Sequence, residues 1–328
     1  MSVLELERDA TPKGSNLPDP IPRSAAVSNS AIRLSLLTGL LGAISALVGL
    51  LWRGSGGVVT ATTFLGQEVE LYGRGLYRND TTVFAANNLA TDLVLLMAGL
   101  PLLVVAARLY ARGSLRGHML LLGALGFFLY YGATYALGGV AYNEMFLVYV
   151  ALFSASATAL LMTVLSVDRR TLSTLTSDRM PRRLLGRFMI ASGLATFVIW
   201  IMEPVAALLS GRSPAGLDTH TTLFTHAFDL AIIVPAALVA GGLILQRQGW
   251  GWAMAASLLV LEVSLLPIMA VTTAIQLHLG IRFTPGEIAG PLAGFGVLSA
   301  AALFMIISTL RRIPSSVTRP GSGQAHLT

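Results

Sequence analysis

The sequence predicts an all-α, polytopic bundle of about eight transmembrane helices in one membrane domain. Of its 328 residues, 54% are hydrophobic and only 12% are charged, whereas a soluble protein carries about 25% charged residues. The mean hydropathy is +0.72. The apolar residues also form long blocks, each near the ~20 residues that a helix needs to cross the hydrocarbon core.

Eight apolar blocks define the predicted spans, and the Gly and Pro residues within them are compatible with membrane helices. The spans are predicted at 31–52, 89–110, 118–140, 145–167, 184–209, 221–246, 251–277 and 286–310. The polar segments 1–30 and 313–328, which contain several Pro, Gly and Ser residues, are predicted to be disordered cytoplasmic tails. The membrane domain therefore covers 31–312.

The distribution of arginine predicts the orientation of the spans. One set of loops and helix ends is strongly basic and holds Arg23, Arg33, Arg108, Arg112, Arg116, Arg169, Arg170, Arg179, Arg182, Arg183, Arg187, Arg247, Arg311 and Arg312. The opposite set holds only Arg53, Arg74, Arg78, Arg212 and Arg282. Basic loops stay in the cytoplasm, so both termini are predicted to be cytoplasmic in a multi-pass protein of the plasma (inner) membrane. The basic residues follow span ends, and nucleic acid is not an expected partner.

The outer loop 53–88 is the longest connection between predicted spans. Its β-branched stretch 58–65, followed by Gly66 and then by 68–72, predicts a short strand and a hairpin. Long loops often carry function. A simple cap over the helix ends is the alternative interpretation.

Similar features recur in the two halves of the chain and suggest a 4+4 parallel internal repeat. Arg33 and Gly39 match Arg187 and Gly193 near the start of the first span of each half. Asp92 with Pro101 matches Asp229 with Pro235, and Glu144 matches Glu287. Two such halves would be related by an axis along the membrane normal.

Ionisable residues within the predicted spans are the candidates for an ion or substrate pathway. A charge near the bilayer centre costs at least ~2.5–3.5 kcal/mol, so such residues usually face the bundle or a wet cavity. The five candidates lie in the outer half of the membrane, which predicts an outward-facing polar cavity above a dry plug; they are Asp92, Glu203, His226, Asp229 and Glu262.

His226 and Asp229 are three residues apart and therefore share a helix face. The pair could relay protons, hold a metal with further ligands, or form a hydrogen bond that fixes helix packing. Secondary candidates are Glu144 and Glu287 near the outer surface, and Tyr131 and Tyr135, which could line the cavity or belong to the aromatic belt at the interface. No metal site is assigned.

The sequence lacks the residues that several functional classes of protein require. The chain has no cysteine and a single lysine, Lys13, which excludes disulfides, thiolate metal sites and a retinal Schiff base within a span. No phosphate-binding loop, zinc-protease motif or nucleophile elbow is present. The protein is therefore expected not to be an enzyme, and no cofactor is expected.

Three segments support a family resemblance: 70–80 (ELYGRGLYRND), 112–117 (RGSLRG) and 141–154 (AYNEMFLVYVALFS). With Phe228, Asp229, Leu230 and Pro235, they resemble a group of uncharacterised bacterial multi-span membrane proteins of unknown activity. The resemblance extends from the first outer loop to the seventh span. It implies a topology and a membrane location, and no activity.

Two functional hypotheses follow. The first is transport of a proton, a cation or a small solute through the outward-facing cavity, with the lipid bilayer and the transported species as partners. The second is a non-enzymatic membrane receptor, sensor or scaffold that receives a ligand on the outer side and contacts a partner through the cytoplasmic loop 169–187. Protein partners are not predicted.

Overall fold

The computed structural model describes residues 23–52, 54–167 and 174–313. Within these ranges, eight helices are long and apolar enough to cross a membrane. They are α1 (Arg23–Leu51), α2 (Thr82–Ala111), α3 (Leu115–Leu137), α4 (Phe146–Leu165), α5 (Arg182–Ser210), α6 (Phe224–Leu245), α7 (Trp250–His278) and α8 (Pro285–Arg312). The prediction of an all-α bundle with about eight spans is confirmed, and the protein is an integral membrane protein.

Two predicted boundaries need correction, because helices continue into polar sequence. The first helix begins at Arg23, so residues 23–30 are helical and do not belong to the predicted tail. The second begins at Thr82, where the Thr81 hydroxyl accepts the amide of Phe84 and caps the helix. The loop 53–88 therefore ends at Thr81. The predicted tail segments 1–22 and 314–328 lie outside the described residues.

The first loop forms the predicted hairpin. Strand β1 (Val59–Thr62) pairs antiparallel with β2 (Glu68–Leu71), and the turn uses Gly66 at a positive φ of 78°, which glycine adopts without strain. Leu71 also pairs with Thr81. The hairpin is thus joined to the beginning of α2, and it marks one end of the bundle, called here the hairpin side. The opposite end is called the arginine-rich side.

The helices pack as two groups that meet through α7. In the first group α1 packs against α2 and α4, and α3 packs against α2 and α4. In the second, α5 packs against α6, and α7 packs against α6 and α8. Helix α7 also contacts α2 and α3 and joins the groups. One hydrophobic core surrounds Leu125 and Phe128, and the other surrounds Met189 and Trp252.

The second helix of each half contains the same irregularity. Leu95–Gly99 in α2 and Asp229–Ile233 in α6 form π-helical turns, which are rare and often lie at functional sites. In each helix a proline follows at the second position after the wide turn, Pro101 in α2 and Pro235 in α6. Pro101 and Pro235 are therefore equivalent, as the sequence comparison proposed.

The corner after each of these helices is also repeated. A side chain at Gly117 would lie 2.5 Å from the amide nitrogen of Tyr110, and one at Gly251 would lie 2.7 Å from that of Ile244. Glycine is required at both positions because the following helix crosses the preceding one at backbone contact. Gly117 and Gly251 are as far apart in the sequence as Leu95 and Asp229, the first residues of the two π-helical turns. The corners and the turns therefore share one sequence separation. At that separation Asp92 corresponds to His226, which lies one helical turn from Asp229, the residue matched with Asp92 in the sequence.

Candidate functional site

A fully buried carboxyl group lies at the centre of the first half. Asp92 on α2 is 0% exposed. The Tyr77 hydroxyl donates to its Oδ2 atom over 2.6 Å, and the Tyr131 hydroxyl donates to its Oδ1 atom over 2.6 Å. Ser45 on α1 lies 3.0 Å from the Tyr131 hydroxyl. Both carboxyl oxygens thus have neutral donors, and no ion pair involves Asp92 within the described residues.

Local sequence explains how this group is enclosed. Gly49 of α1 has no side chain, which leaves the room that Asp92 and the Tyr77 hydroxyl occupy. Tyr77 is 1% exposed and comes from the loop that precedes α2, so it covers Asp92 from the hairpin side. The π-helical turn Leu95–Gly99 begins just after Asp92. We name Asp92, Tyr77, Tyr131 and Ser45 the Asp92 cluster.

Further tyrosines connect this cluster toward the hairpin side. The rings of Tyr131 and Tyr135 are 4.3 Å apart, and those of Tyr135 and Tyr149 are 5.1 Å apart. The Tyr135 hydroxyl donates to the carbonyl of Asn88, and the side-chain amide of Asn143 donates to the Tyr149 hydroxyl. Tyr131 and Tyr135 are 2% and 4% exposed. They therefore line the buried polar region, and the belt interpretation does not apply to them.

A second polar cluster lies between α5 and α6. The His226 Nε2 atom is 2.9 Å from the Glu203 Oε2 atom, and their side chains are 13% and 32% exposed. The amide of Gly216 donates to Glu203 Oε1 over 2.6 Å. The ring of Trp200 packs edge-on against His226 at 4.5 Å. This pair is therefore partly open, unlike Asp92.

Asp229 belongs to the same region, but among the described residues its carboxyl group has no hydrogen bond to the His226 imidazole. It accepts hydrogen bonds from the Tyr130 hydroxyl, at 3.0 Å, and from Trp200. The hydrogen bond between the two side chains, one of three interpretations of this pair, is not formed, because α5 presents Glu203 directly to the imidazole. We name Glu203, His226, Asp229 and Trp200 the His226 cluster. Tyr130 of α3 borders this cluster through its hydrogen bond to Asp229.

Helix α3 separates the two clusters, since adjacent residues point to opposite sides of it. Tyr130 bonds to Asp229, and Tyr131 bonds to Asp92. Four of the five predicted pathway residues therefore form two sites on either side of one helix. A single cavity that contains all five of them is not what the structure has.

Glu262 on α7 stands apart from both clusters. It lies within hydrogen-bond reach of Ser192 on α5, and its Oε2 atom is buried without a partner among the described residues. The hydroxyl of Ser299 on α8 donates to the Glu262 carbonyl and accepts the Leu266 amide. These two backbone groups would bond to each other in a regular helix. The inserted hydroxyl therefore marks an irregular turn of α7 at Glu262.

The two secondary acidic candidates have structural partners. Glu144 forms an exposed ion pair with Arg78. The hydrogen bond that Arg78 donates within this pair lowers the pKa of Glu144. Glu287 forms a capping box with Thr284 at the beginning of α8. Both residues stabilise local structure on the hairpin side. Within the described ranges, no three His, Asp or Glu side chains converge as a metal site.

Sequence reasoning missed three contributors to these clusters: Ser45, Tyr77 and Trp200. Ser45 gives no signal, because small hydroxyl residues are common in membrane helices. Tyr77 lies within the segment 70–80 that carries the family resemblance. Trp200 precedes Glu203 by three residues and therefore shares its helix face. This spacing could have identified Trp200 as a neighbour of Glu203 from the sequence.

No protein-family model, curated protein or solved structure matches the chain. Its function is therefore inferred from the geometry of the two clusters.

Proposed function

We propose that the protein moves a proton, a cation or a small solute across the membrane, and that Asp92 carries the binding step. The observation that supports this is a fully buried carboxyl group held only by neutral hydroxyl donors. The proposal places the protein in the plasma membrane of a bacterium, with both termini in the cytoplasm and the hairpin outside. It assigns no enzymatic activity and no cofactor.

The energetic argument concerns the cost of keeping an acid at this position. A charged side chain within the bilayer costs at least ~2.5–3.5 kcal/mol, and buried polar groups can often be replaced by apolar ones without loss of stability. A buried acid between α1, α2 and α3 therefore costs stability that a well-packed apolar side chain would not. A residue that costs stability and is enclosed by ordered donors is typical of a site that binds or transfers an ion.

The conformation described is closed at Asp92, which changes the predicted picture of an open outer cavity. Leu76 and Tyr77 cover the site from the hairpin side, each 1% exposed. Leu95 and Leu103 fill the core toward the arginine-rich side. Of the acids in the two clusters, Glu203 of the His226 cluster is the partly exposed one. We interpret the state as occluded at the first site and open at the second.

Two features provide places where the helices could change shape. The π-helical turns Leu95–Gly99 and Asp229–Ile233 each adjoin one cluster, and a proline follows each of them. Wide turns and prolines leave backbone carbonyls without their usual helical partners. Local rewinding of the turn Leu95–Gly99 in α2 would alter the position of Asp92 relative to Tyr77 without unfolding the whole helix.

Ion flux tests the proposal directly. The purified protein is reconstituted in liposomes that contain a pH-sensitive dye, and proton, sodium or potassium gradients are imposed. We expect flux in the native protein and its loss in Asp92→Asn, with strong reduction in Asp229→Asn. The matched control is Asp178→Asn, because Asp178 makes an exposed ion pair with Arg247 and its side chain is 85% exposed.

The outcomes separate the hypotheses. Flux that persists in both Asp92→Asn and Asp229→Asn would show that these acids do not form the pathway. Absence of flux in the native protein under every gradient would favour the receptor, sensor or scaffold hypothesis. Elution as a single species and an unchanged melting temperature are required of each variant, so that loss of flux is not loss of fold.

A further inference from the structure

Two loops on the hairpin side are joined by one side-chain hydrogen bond between the halves of the protein. The Thr81 hydroxyl donates to Asp218 Oδ2 over 2.5 Å. Thr81 ends the loop before α2, and Asp218 lies in the loop between α5 and α6 with a strained φ of 55°. A strained non-glycine residue persists only where its surroundings hold it, and the bond to Thr81 is one of the contacts that hold this loop.

Asp80, the residue before Thr81, is unusually placed beside this contact. It is 1% exposed. Its Oδ1 atom accepts the Ala141 amide over 2.8 Å, and its Oδ2 atom is buried without a partner among the described residues. Its amide donates to the carbonyl of Tyr77. Asp80 therefore closes the turn that presents Tyr77 to Asp92.

Among the described residues, no positively charged side chain forms an ion pair with Asp80. Burial and the neighbouring Asp218 carboxylate raise the pKa of Asp80 to about 7. Burial also lowers the pKa of His220, which adjoins Asp218, so this imidazole is neutral at pH 7. The other groups that face Asp80 or share its loop are Tyr135 and Tyr149, the Arg74 guanidinium over the Tyr72 ring, and Arg78 paired with Glu144.

We propose that Asp80, Thr81 and Asp218 form a proton-operated clasp that holds the hairpin-side entrance to Asp92 closed when Asp80 is protonated and loosens it when Asp80 is ionised. The entrance matters through the transport function proposed above, and the clasp deepens that proposal. A proton is the ligand that fits the unpartnered oxygen, because the described His, Asp and Glu residues form no group of three that could hold a metal.

The direction of the pH effect follows from proton linkage. In the closed form Asp80 keeps its proton up to about pH 7, whereas in an opened, hydrated loop it has an ordinary aspartate pKa of about 4. Between these values the closed form binds one more proton, so opening becomes about tenfold more favourable per pH unit. Stability of the closed form is fully present below about pH 4, is lost as the pH rises, and levels off above about 7.

Accessibility of one introduced cysteine measures the clasp without measuring transport. The native chain has no cysteine. Asn88→Cys places a thiol on α2 toward the hairpin side, where Asn88 is 1% exposed and its amide nitrogen has no partner among the described residues. A membrane-impermeant maleimide is applied from the hairpin side at pH 5 to 8. Rates are divided by those of Thr60→Cys, which is exposed on β1, to remove the pH dependence of thiol chemistry.

We expect the normalised rate of Asn88→Cys to rise at least tenfold from pH 5 to pH 8. With Asp80→Asn added, we expect it to stay at its low-pH value throughout. An equal rise in the Asp80→Asn background, or a flat rate in the native background, would overturn the clasp. Either result would leave the flux experiment untouched, so the two proposals fail separately.

A second variant keeps the clasp testable if Asp80→Asn does not fold. Asp218→Asn removes the neighbouring negative charge and keeps an oxygen that can accept from Thr81. Without that charge Asp80 ionises more easily in the closed form, so the rise in labelling should level off at a lower pH. A rise that levels off at the native pH would show that Asp218 has no part in the clasp.

Discussion

Replacing Tyr77 by phenylalanine removes one hydroxyl from the Asp92 cluster and leaves the ring in place. Tyr77 is 1% exposed, and its ring meets that of Tyr135 edge-on at 6.3 Å. The variant keeps this ring contact and nearly the same volume. Among the described residues, Asp92 Oδ2 would lose its only donor, at 2.6 Å, and would remain buried. The perturbation is therefore confined to the hydrogen bonds of one hydroxyl, the bond to Asp92 and those with Tyr135 and Tyr149.

The magnitude follows from what is left unpaired. A hydrogen bond contributes about 0.5–1.5 kcal/mol to stability when neutral and about 1.5–3 kcal/mol when one partner is charged. Bonds within membrane proteins average about 0.6 kcal/mol, with a maximum near 1.7, because the unfolded chain also finds partners. We expect Tyr77→Phe to destabilise the protein by about 1–2 kcal/mol. The same change at Tyr142, which is 78% exposed, should have no measurable effect.

A double-mutant cycle isolates the interaction. Reversible unfolding in mixed detergents is measured for the native protein, Tyr77→Phe, Asp92→Asn and the double variant. If Tyr77 acts on stability through Asp92, the two changes should be coupled by about 0.5–2 kcal/mol. Additive effects, or a Tyr77→Phe variant as stable as Tyr142→Phe, would refute the assignment of Tyr77 as the cover of Asp92.

Two further predictions concern packing and surface charge. A methyl group at Gly132 would lie 2.9 Å from a backbone nitrogen of α4, so Gly132→Ala should destabilise the protein by about 1–3 kcal/mol through overpacking. Gly242→Ala, where no atom lies within 4 Å, should stabilise it by about 0.5–1 kcal/mol, and an opposite order of melting temperatures would contradict the packing. Arg78→Ala breaks an exposed ion pair with Glu144 and should cost under about 1 kcal/mol, measured as a small loss that high salt removes.

Composition predicted the bundle because each span must satisfy its own backbone hydrogen bonds in lipid, so helices follow from long apolar blocks. Helix ends were less accurate, since hydropathy stops at the first polar residues. The second helix continues through Asn87 and Asn88 to the cap at Thr81, and these two polar residues separate the short apolar stretch at Val83 and Phe84 from the long apolar block. The hairpin was predicted because β-branched residues and Gly66 form a local signal, which needs no tertiary contact.

The candidate acids were predicted by type but not by partner. A carboxyl group within an apolar block is visible in sequence, and Asp92, Asp229 and Glu262 were found in that way. Their partners come from other helices, and the angle at which helices cross is not encoded by any single one. Tyr130 and Tyr131 illustrate this, because one backbone step sends their hydroxyls to separate acids.

The corrected register between the halves suggests why one site is closed and the other open. A methyl group at Gly39 would lie 3.3 Å from the side chains of Leu100 and Leu103, and one at Gly193 would lie 3.0 Å from that of Ala237, which aligns α1 with α5.

In that alignment Gly49 corresponds to Glu203, and Asp92 corresponds to His226. The first half thus places an acid on its second helix opposite a glycine, and nothing on α1 can pair with it. The second half places an acid on its first helix opposite an imidazole at 2.9 Å. An unpaired acid is tolerated in lipid only when it is covered and hydrogen-bonded, whereas a paired acid can remain partly exposed. The difference in exposure between Asp92 and Glu203 therefore follows from whether the facing helix presents an imidazole to the carboxyl group.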